Sequence, residues 1–366
     1  MIIQHGITEA IVDYFSGRES ALDLRDARAV VLWVADGFGL AQLASFRREN
    51  WTSLLGEVPL EAASAFPTTT AAGLATLAFA APPAHHGALG YWIYLSEWDR
   101  PVNMLSGRDD RGAEVPGHLM YRPMATIFDR LAEHGIASSV VSPEPYRDTG
   151  LSRWLYQGAR YCGYNPDHPT EALQSTHRAL REGARFIWLY WPYFDATAHT
   201  EGLYAAQTEV QARRLDSAVA AAKPLWSPHA PLALVITADH GMAHLDLDRV
   251  VSRDDPLAAA IWQLPYAGER RAITTSLSVA QLKELGTFDT AEAVLSQDQL
   301  WEEGWYGGAP AHPSFRRRVL SSLVLAKEGG QFCQDGFRDS PVLRAGHGGR
   351  TYEEQTIPVW CSVWPH

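Results

Sequence analysis

Cysteine is scarce in this chain, and basic residues are outnumbered by acidic ones. The 366 residues include only three cysteines, Cys162, Cys333 and Cys361, which lie far apart and form no C-x-x-C pair. Their number and spacing argue against a disulfide framework and against a cysteine-ligated zinc site. With 31 Lys and Arg against 42 Asp and Glu, the formal net charge is −11. That balance argues against binding to nucleic-acid polymers or anionic membranes, both of which need a basic surface.

Long hydrophobic segments are also missing. The most apolar run covers residues 71–81 and ends at Pro82-Pro83, so it is too short to cross a bilayer. The first residues lack a basic segment followed by an apolar stretch, so no signal peptide is visible. From these two absences we expect a cytoplasmic protein that has no membrane partner.

Apolar runs typical of buried strands alternate with helical patterns along most of the chain. The strand-like runs cover 29–35, 136–141, 185–190, 232–237 and 357–363, and helical spacing covers 70–80, 124–134, 170–182 and 203–222. This alternation predicts an α/β fold with a doubly wound, mostly parallel central sheet flanked by helices. We expect one catalytic domain over residues 1–366, in which the weaker pattern at about 246–314 is interpreted as a small cap-like insertion.

An aspartate follows each of the three clearest strand patterns. These residues are Asp36, Asp195 and Asp239. In doubly wound sheets, functional groups collect in the crevice at the carboxyl ends of the strands. We therefore expect the three carboxylates to lie close together.

Histidines accompany these aspartates. His199 follows Asp195 by four residues, a spacing that places both on one face of a helical turn. His240 is adjacent to Asp239, and His347 lies between glycines near the C-terminus. Three carboxylates and three imidazoles suit two zinc-like ions better than calcium or magnesium, because hard cations prefer shells made only of oxygen.

A threonine-rich turn precedes the predicted helix at 70–80. The stretch Phe66-Pro67-Thr68-Thr69-Thr70-Ala71-Ala72-Gly73 combines a proline with threonines that are good N-caps. A hydroxyl at a helix N-terminus lies in a positive field and beside unpaired N–H groups, which favours anion binding and loss of the hydroxyl proton. The residues themselves leave open whether one of the three threonines is a nucleophile or all are simply part of a cap.

The chain resembles the alkaline phosphatase superfamily, most closely its nucleotide pyrophosphatase/phosphodiesterase branch, through motifs in this order: Asp36; Phe66-Pro67-Thr68-Thr69-Thr70; Asp195-x-x-x-His199; Asp239-His240-Gly241; Gly346-His347-Gly348-Gly349. The resemblance implies two metal sites, one held by Asp195, His199 and His347 and the other by Asp36, Asp239, His240 and Thr70. It also implies that Thr70, three residues after the proline, is the catalytic nucleophile. The implied ions are two divalent metals, zinc first, with manganese or iron as alternatives.

One position departs from that branch. Its members usually carry an Asn that binds a phosphate oxygen at the end of a His-Gly-x-x-Gly-Asn segment, whereas this chain has His86-Gly87-Ala88-Leu89-Gly90-Tyr91. Tyr91 is therefore a candidate substrate-binding residue through its phenol, with core packing as the alternative. Asn103 is a second candidate. His86 is expected to fix the turn and not to bind metal.

An aromatic segment leads directly into Asp195. Tyr190-Trp191-Pro192-Tyr193-Phe194 either supplies an aromatic wall for a base or aryl group or packs in the core. Aromatic clusters mostly fill space, so the sequence favours core packing.

These observations together predict a metal-dependent hydrolase of phosphodiester or nucleotide pyrophosphate bonds that uses a phospho-threonine intermediate. Monoesterase relatives place an arginine beside the nucleophile, whereas here Ala71 and Ala72 follow Thr70, which favours a diester. A phosphomonoesterase or phosphonate hydrolase on the same scaffold is the alternative. A non-catalytic metal- or ligand-binding protein is an alternative from a different class.

Overall fold

The computed structural model of the chain describes residues 2–46, 51–251, 255–286, 291–332 and 343–365. The strands in these ranges are β1 Ile2–Ile3, β2 Ala29–Ala35, β3 Leu60–Ala63, β4 Trp92–Leu95, β5 Arg100–Asn103, β6 Arg108–Asp109, β7 Ser138–Pro143, β8 Arg160–Tyr164, β9 Phe186–Trp191, β10 Leu232–Thr237, β11 Ala243–His244, β12 Val250–Val251, β13 Tyr266–Glu269, β14 Ala272–Thr275, β15 Ala291–Ser296, β16 Ser322–Ala326, β17 Gln331–Phe332, β18 Ala345–Gly346 and β19 Thr356–Trp364.

The α-helices in the same ranges are mostly short. They are α1 Gln4–Phe15, α2 Leu40–Phe46, α3 Thr70–Phe79, α4 Pro83–His86, α5 Gly117–Met120, α6 Ile127–Glu133, α7 Gly150–Leu155, α8 Thr170–Arg181, α9 Tyr193–Glu201, α10 Ala206–Trp226, α11 Pro256–Trp262, α12 Val279–Glu284, α13 Gln297–Glu302, α14 Phe315–Val319 and α15 Tyr352–Gln355. None of the helices in the described ranges combines the length and the apolar composition that a bilayer crossing requires.

The central sheet has eight strands in the order β1-β3-β19-β10-β2-β9-β7-β8. From β10 to β8 every neighbouring pair is parallel, whereas β19 runs antiparallel to both β10 and β3. This confirms the predicted α/β fold with a mostly parallel sheet between helices.

The strand β2 shows why the sheet is buried on both faces. Its side chains alternate, so that Val30, Leu32 and Val34 pack with residues of α1 and α3, while Val31 and Trp33 pack with residues of α8 and α10 on the other face. All five side chains are fully buried. Complete burial of one such side chain contributes about 1.5 to 3 kcal/mol, so the two faces together fix the sheet between its helices.

A second, antiparallel sheet has seven strands in the order β15-β16-β14-β13-β4-β5-β6. The segment 246–314 contributes β13, β14 and β15, and the remaining strands lie before and after that segment. The segment that the sequence analysis interpreted as an insertion therefore shares a sheet with strands that lie outside residues 246–314. The organisation as one domain and the role of the segment as a cap stay predictions.

Most predicted elements are found with small shifts of their ends. The strands β2 and β10 have the predicted bounds, and α3 ends at Phe79, after which Ala80 adopts a left-handed conformation with φ of 48°. The expected cap at the start of α3 is wrong in one respect. Thr69 is the N-cap residue, but its side chain makes no capping hydrogen bond.

Two of the three cysteines can be placed. Cys162 and Cys361 are both free thiols, as expected in the absence of a disulfide framework. Cys333 lies outside the described residues. The cytoplasmic location stays a prediction.

His86 has the turn-fixing position that was expected. Its fully buried ring accepts a hydrogen bond at Nδ1 from the Ala88 N–H at 3.2 Å, and its Nε2 lies 3.2 Å from Thr76 Oγ1. Burial, helped by the charges of His85 and His312, lowers the pKa of His86 to about 3. The ring is therefore neutral in the folded protein.

Replacing His86 with glutamine tests this neutrality. Because the folded pKa of about 3 lies below the ordinary value of 6.5, His86 contributes stability that is complete above pH 6.5 and is lost as the pH falls towards 3. Between about pH 6 and pH 4, we expect the unfolding free energy of the unchanged protein to fall more steeply than that of His86→Gln, by up to about 1.4 kcal/mol per pH unit. Urea unfolding at a series of pH values measures both slopes.

The matched control is His134→Gln, which alters an exposed histidine that is not among the groups acting on the pKa of His86 and should keep the slope of the unchanged protein. Equal slopes for the unchanged protein and His86→Gln would show that His86 does not carry this acid sensitivity.

Candidate active site

Parallel pairing brings the three aspartates to one edge of the central sheet. In the register of β10, β2 and β9, Thr237 pairs with Val34 and Ala35 pairs with Trp191, so the carboxyl ends of the three strands are level. Asp36 and Asp239 follow their strands within two residues, and Asp195 lies in the first turn of α9. All three carboxylates are buried.

The three predicted histidines are oriented by backbone carbonyls. In each ring Nδ1 faces a carbonyl oxygen: His199 faces Ala345 at 2.8 Å, His240 faces Gly241 at 3.0 Å and His347 faces Thr68 at 2.9 Å. A carbonyl can only accept, so each Nδ1 carries a proton. At His199 the neighbouring Asp195 carboxylate outweighs burial, raises the pKa of the ring and favours a second proton on Nε2, whereas the Nε2 atoms of His240 and His347 keep their lone pairs. This is the tautomer and the support that metal-binding histidines show.

The three Nε2 atoms converge on the carboxylates. His240 Nε2 lies 3.5 Å from Asp36 Oδ1 and 3.5 Å from Asp239 Oδ2. His347 Nε2 lies 3.7 Å from Asp195 Oδ1, and His199 Nε2 lies 3.2 Å from Asp195 Oδ2. The rings of His240 and His347 stack with centroids 3.9 Å apart. Six predicted ligand residues therefore meet in one place.

Two overlapping groups of ligand atoms result. One contains Asp36, Asp239 and His240, and the other contains Asp195, His240 and His347, with the ligand atoms of each group within 4.8 Å of one another. The second group differs from the resemblance, which pairs Asp195 and His347 with His199. His199 and His347 approach different oxygens of the Asp195 carboxylate.

The pKa values of the three carboxylates are shifted in different directions. Burial raises the pKa of Asp36 well above its usual range, and the neighbouring Asp239 and Asp195 raise it further. Burial likewise raises the pKa of Asp239. Burial acts in the same direction on Asp195, but the adjacent His199 outweighs it and lowers the pKa of Asp195. Two buried, mutually repelling carboxylates favour a cation between them.

The residues present fit a pair of divalent cations. Asp36 Oδ1, Asp195 Oδ1 and Asp239 Oδ2 are buried without a hydrogen-bond partner among the described residues, and these are the oxygens that face the imidazole Nε2 atoms. Oxygen and nitrogen lone pairs directed at one another are unfavourable in a dry site unless a cation lies between them. Mixed imidazole and carboxylate donors match zinc and its transition-metal neighbours better than calcium.

Thr70 reaches this cluster from the start of α3. Its Oγ1 lies 3.2 Å from His240 Nε2, and its side chain is partly exposed. The helix approaches closely because position 73 is glycine: a Cβ there would lie 2.6 Å from the carbonyl oxygen of Asp239. The Thr68 hydroxyl is engaged elsewhere, since it donates to the Gly349 carbonyl at 2.9 Å and accepts from the Gly348 N–H at 2.9 Å.

A cavity of about 310 Å³ opens beside Thr70, which we call the tyrosine cavity. It is lined by Asp36, Thr70, Asp195, the tyrosines 146, 156 and 190, the leucines 74, 105, 151 and 155, the serines 106, 142 and 152, and Thr149, Pro192 and Ala196. Its walls are aromatic, aliphatic and hydroxyl-bearing, and its described lining contains no Lys or Arg. A largely apolar organic group fits such walls.

In the aromatic segment before Asp195, one residue lines a cavity and others pack in the core. Tyr190 lines the tyrosine cavity, and its hydroxyl donates a hydrogen bond to Asp36 Oδ2. Trp191 and Phe194 pack in the core behind the sheet. The link from Tyr190 to Asp36 was not predicted, because the spacing of the two residues in the chain gives no indication that β2 and β9 are neighbours.

A second cavity, of about 170 Å³, borders the histidines, and we call it the Glu269 cavity. Its walls include Tyr91, Glu269, Arg270, His199 and His347. Burial raises the pKa of Glu269 to about 8, although the Thr69 hydroxyl and the Tyr91 backbone N–H act against this rise. Glu269 was missed by sequence reasoning, since a buried glutamate in a short strand has no distinctive local pattern.

The two candidate substrate-binding residues lie in different surroundings. Tyr91 lines the Glu269 cavity. Asn103 is buried at the end of β5, where its Oδ1 accepts hydrogen bonds at 2.9 Å from the backbone N–H groups of Leu105 and Ser106. The substrate-binding role of both residues stays a prediction.

Comparison with known sequences gives one family match. The model of the family described as type I phosphodiesterase / nucleotide pyrophosphatase matches residues 30–294, which includes all the site residues named above except His347. A comparison with curated proteins gives no match.

Several solved structures share the fold. Murine ectonucleotide pyrophosphatase/phosphodiesterase 5 is similar with a TM-score of 0.67 at 16% identity, over 90% of this chain and 87% of that chain. Its human counterpart gives 0.66 at 17% identity, over 91% and 87%. Phosphonoacetate hydrolase from Sinorhizobium meliloti 1021 gives 0.65 at 16% identity, over 92% and 90%. At these identities the likeness establishes the fold alone.

Asp36→Asn tests the repulsion between the buried carboxylates. In chelator-treated protein at about pH 8, we expect the substitution to raise the unfolding free energy by roughly 1 to 3 kcal/mol, because the cost of charging Asp36 in the folded state disappears. A raised folded pKa costs stability as the pH rises through it, so the gain should shrink towards about pH 4. Urea unfolding at both pH values measures the difference.

Asp195→Asn is the matched control. Its carboxyl is stabilised in the charged form by His199, so the same treatment should lower the unfolding free energy at pH 8. An Asp36→Asn protein that is less stable than the unchanged protein under these conditions would contradict the electrostatic account.

Proposed function

The chain belongs to the type I phosphodiesterase / nucleotide pyrophosphatase family of the alkaline phosphatase superfamily and is a hydrolase of phosphate esters; from this premise we propose that it cleaves phosphodiester or nucleotide pyrophosphate bonds at a two-metal site. Thr70 is the proposed nucleophile. The proposed ligands are Asp36, Thr70, Asp195, His199, Asp239, His240 and His347, and zinc is the proposed metal.

One observation carries this proposal. The three imidazole Nε2 atoms face three carboxylates, and three of the carboxylate oxygens are buried without a hydrogen-bond partner among the described residues. The hydroxyl of Thr70 lies at the edge of this cluster. Cations held by these acceptors, together with a hydroxyl at a helix N-terminus, would suit binding and attack of a phosphate group.

The proposed reaction has two steps, in which the bound ions, Thr70 and the start of α3 have different roles. Bound divalent ions would neutralise phosphate oxygens and favour the ionised form of the threonine hydroxyl. Thr70 Oγ1 attacks phosphorus, and the ester oxygen on the far side leaves with the bonding electron pair and takes up a proton. Water then attacks the phospho-threonine and releases the phosphate product. The N–H groups at the start of α3 face the phosphate oxygens during both steps.

The tyrosine cavity favours a diester over a monoester. A phosphomonoester or phosphonate is dianionic near neutral pH, and its additional charge calls for additional positive side chains. The described lining of this cavity provides none. A diester carries one charge and a second organic group, which the tyrosine and leucine walls can cover.

The organic group of the proposed substrate is a nucleoside or another aryl group of similar size. Tyr146, Tyr156 and Tyr190 line the tyrosine cavity, and aromatic rings of this kind bind other aromatic rings favourably. The structure of an inactive variant of the murine relative contains AMP, which is consistent with a nucleotide substrate for this chain.

Thr70→Ala tests the nucleophile. We expect the rate of hydrolysis of bis-p-nitrophenyl phosphate to fall roughly a thousandfold or more, because the group that forms the covalent intermediate is removed. Metal analysis of the same variant should still find bound metal, since the other proposed ligands remain. Chelation of the unchanged protein should abolish turnover, and added zinc should restore it.

Thr69→Val is the matched control, because it alters the adjacent threonine and keeps its shape. Its turnover should stay close to that of the unchanged protein. Loss of turnover in Thr69→Val together with normal turnover in Thr70→Ala would show that Thr69, and not Thr70, is the nucleophile. Faster hydrolysis of p-nitrophenyl phosphate than of the diester would favour the phosphomonoesterase. Bound metal without turnover of either ester would favour the binding protein.

A further inference from the structure

Two cavities border the candidate site. The tyrosine cavity is lined by Thr70, Asp36 and Asp195, whereas the Glu269 cavity is lined by His199 and His347. The two linings share no residue. A diester has two different organic groups, so two separate cavities can each receive one of them.

The direction of attack assigns the groups to the cavities. In an in-line displacement the attacking and leaving oxygens lie on opposite sides of phosphorus. Thr70 lines the tyrosine cavity and not the Glu269 cavity, so a leaving oxygen on the far side of phosphorus points away from the tyrosine cavity. That side carries His199 and His347, which are walls of the Glu269 cavity.

The Glu269 cavity has the chemistry of a polar binding site. Glu269 is about 91% buried, since its exposure is 9%, and its Oε1 has no hydrogen-bond partner among the described residues. Arg270 lines the same small space and brings guanidinium donors. A buried carboxyl oxygen without a partner is costly unless a ligand supplies a donor.

A neutral hydroxyl fits these walls better than a cation does. A hydroxyl both donates and accepts, so one group can satisfy Glu269 and also accept from Arg270. An ammonium group would meet the positive charge of Arg270. A volume of about 170 Å³ holds about five or six groups of water size, at about 30 Å³ each, which corresponds to an alcohol the size of glycerol.

We propose that the Glu269 cavity is the leaving-group subsite of this hydrolase and that it selects a small neutral polyol as the departing alcohol. The inference rests on the proposed function. As the bond between Thr70 Oγ1 and phosphorus forms, the bond from phosphorus to the polyol oxygen breaks. That oxygen keeps the electron pair and takes a proton from solvent, while the threonine proton passes to solvent.

The experiment compares two esters of thymidine 5′-phosphate, one with glycerol and one with 1-propanol. Both keep the same nucleoside for the tyrosine cavity, and they differ only in the hydroxyls of the leaving group. Release of thymidine monophosphate gives kcat/KM for each. We expect the glyceryl ester to be preferred at least about tenfold, the effect of one hydrogen bond to a buried polar group.

Substitutions in the two cavities then test whether the preference for the glyceryl ester arises in the Glu269 cavity. Glu269→Leu removes the acceptor and should bring the ratio of the two kcat/KM values close to one. Glu269→Gln keeps an acceptor oxygen and should retain most of the preference, which separates recognition from a general effect on folding. Tyr146→Leu, in the tyrosine cavity, should lower both values by the same factor and leave the ratio unchanged. A third ester, with 2-aminoethanol, should not exceed the glyceryl ester.

The outcomes separate this inference from the proposed function. If the unchanged protein hydrolyses neither these esters nor bis-p-nitrophenyl phosphate, the proposed function fails. If it hydrolyses the diesters with a glyceryl-to-propyl ratio near one, or if Glu269→Leu keeps the ratio of the unchanged protein, the leaving-group subsite is wrong. Preference for the aminoethyl ester would overturn the choice of a neutral polyol.

Discussion

The parallel pairing of β2 with β10 forces Asp36 and Asp239 together at one buried sheet edge. Their like charges cannot both be accommodated there at low cost: burial raises the pKa of both, and repulsion from Asp239 and Asp195 raises the pKa of Asp36 further. The lone pair of His240 Nε2 faces one oxygen of each carboxylate, and the donors present, which are the Tyr190 hydroxyl and the N–H groups of Gly37 and His240, reach only the other oxygens. A site of this kind is stabilised by cations, so the sheet geometry itself creates the demand for metal.

The second sheet contributes to the site through a buried ion pair. Arg271, in the turn before β14, lies with its Nε 2.7 Å from Glu354 Oε1, and both side chains are almost fully buried. Glu354 Oε1 also accepts from the Gly349 N–H at 2.8 Å, and this contact holds the loop that carries His347. Loss of either charge would leave the other buried without a charge of opposite sign beside it. The antiparallel sheet is thus connected to the position of a proposed ligand.

The two cavities give the site an asymmetry that the seven proposed residues alone do not have. Apolar and aromatic side chains surround Thr70, whereas Glu269 and Arg270 lie beside the histidines. Family members share motifs for the reacting centre, but substrate choice depends on what surrounds it. In this chain Tyr91, which stands where the branch usually has Asn, lines the Glu269 cavity, so the departure from the branch lies in the proposed leaving-group subsite.

The sequence by itself determined the central sheet and the list of candidate ligands. The strands β2 and β10 are continuous apolar runs with an acidic residue at the end, and such patterns are local. It did not indicate the antiparallel sheet, whose short strands pair across long sequence distances, nor Glu269 or the bond from Tyr190 to Asp36. These depend on which strands become neighbours and on which cavities remain between them. Only the tertiary structure decided them, because burial and the distance between remote side chains are properties of packing and not of local pattern.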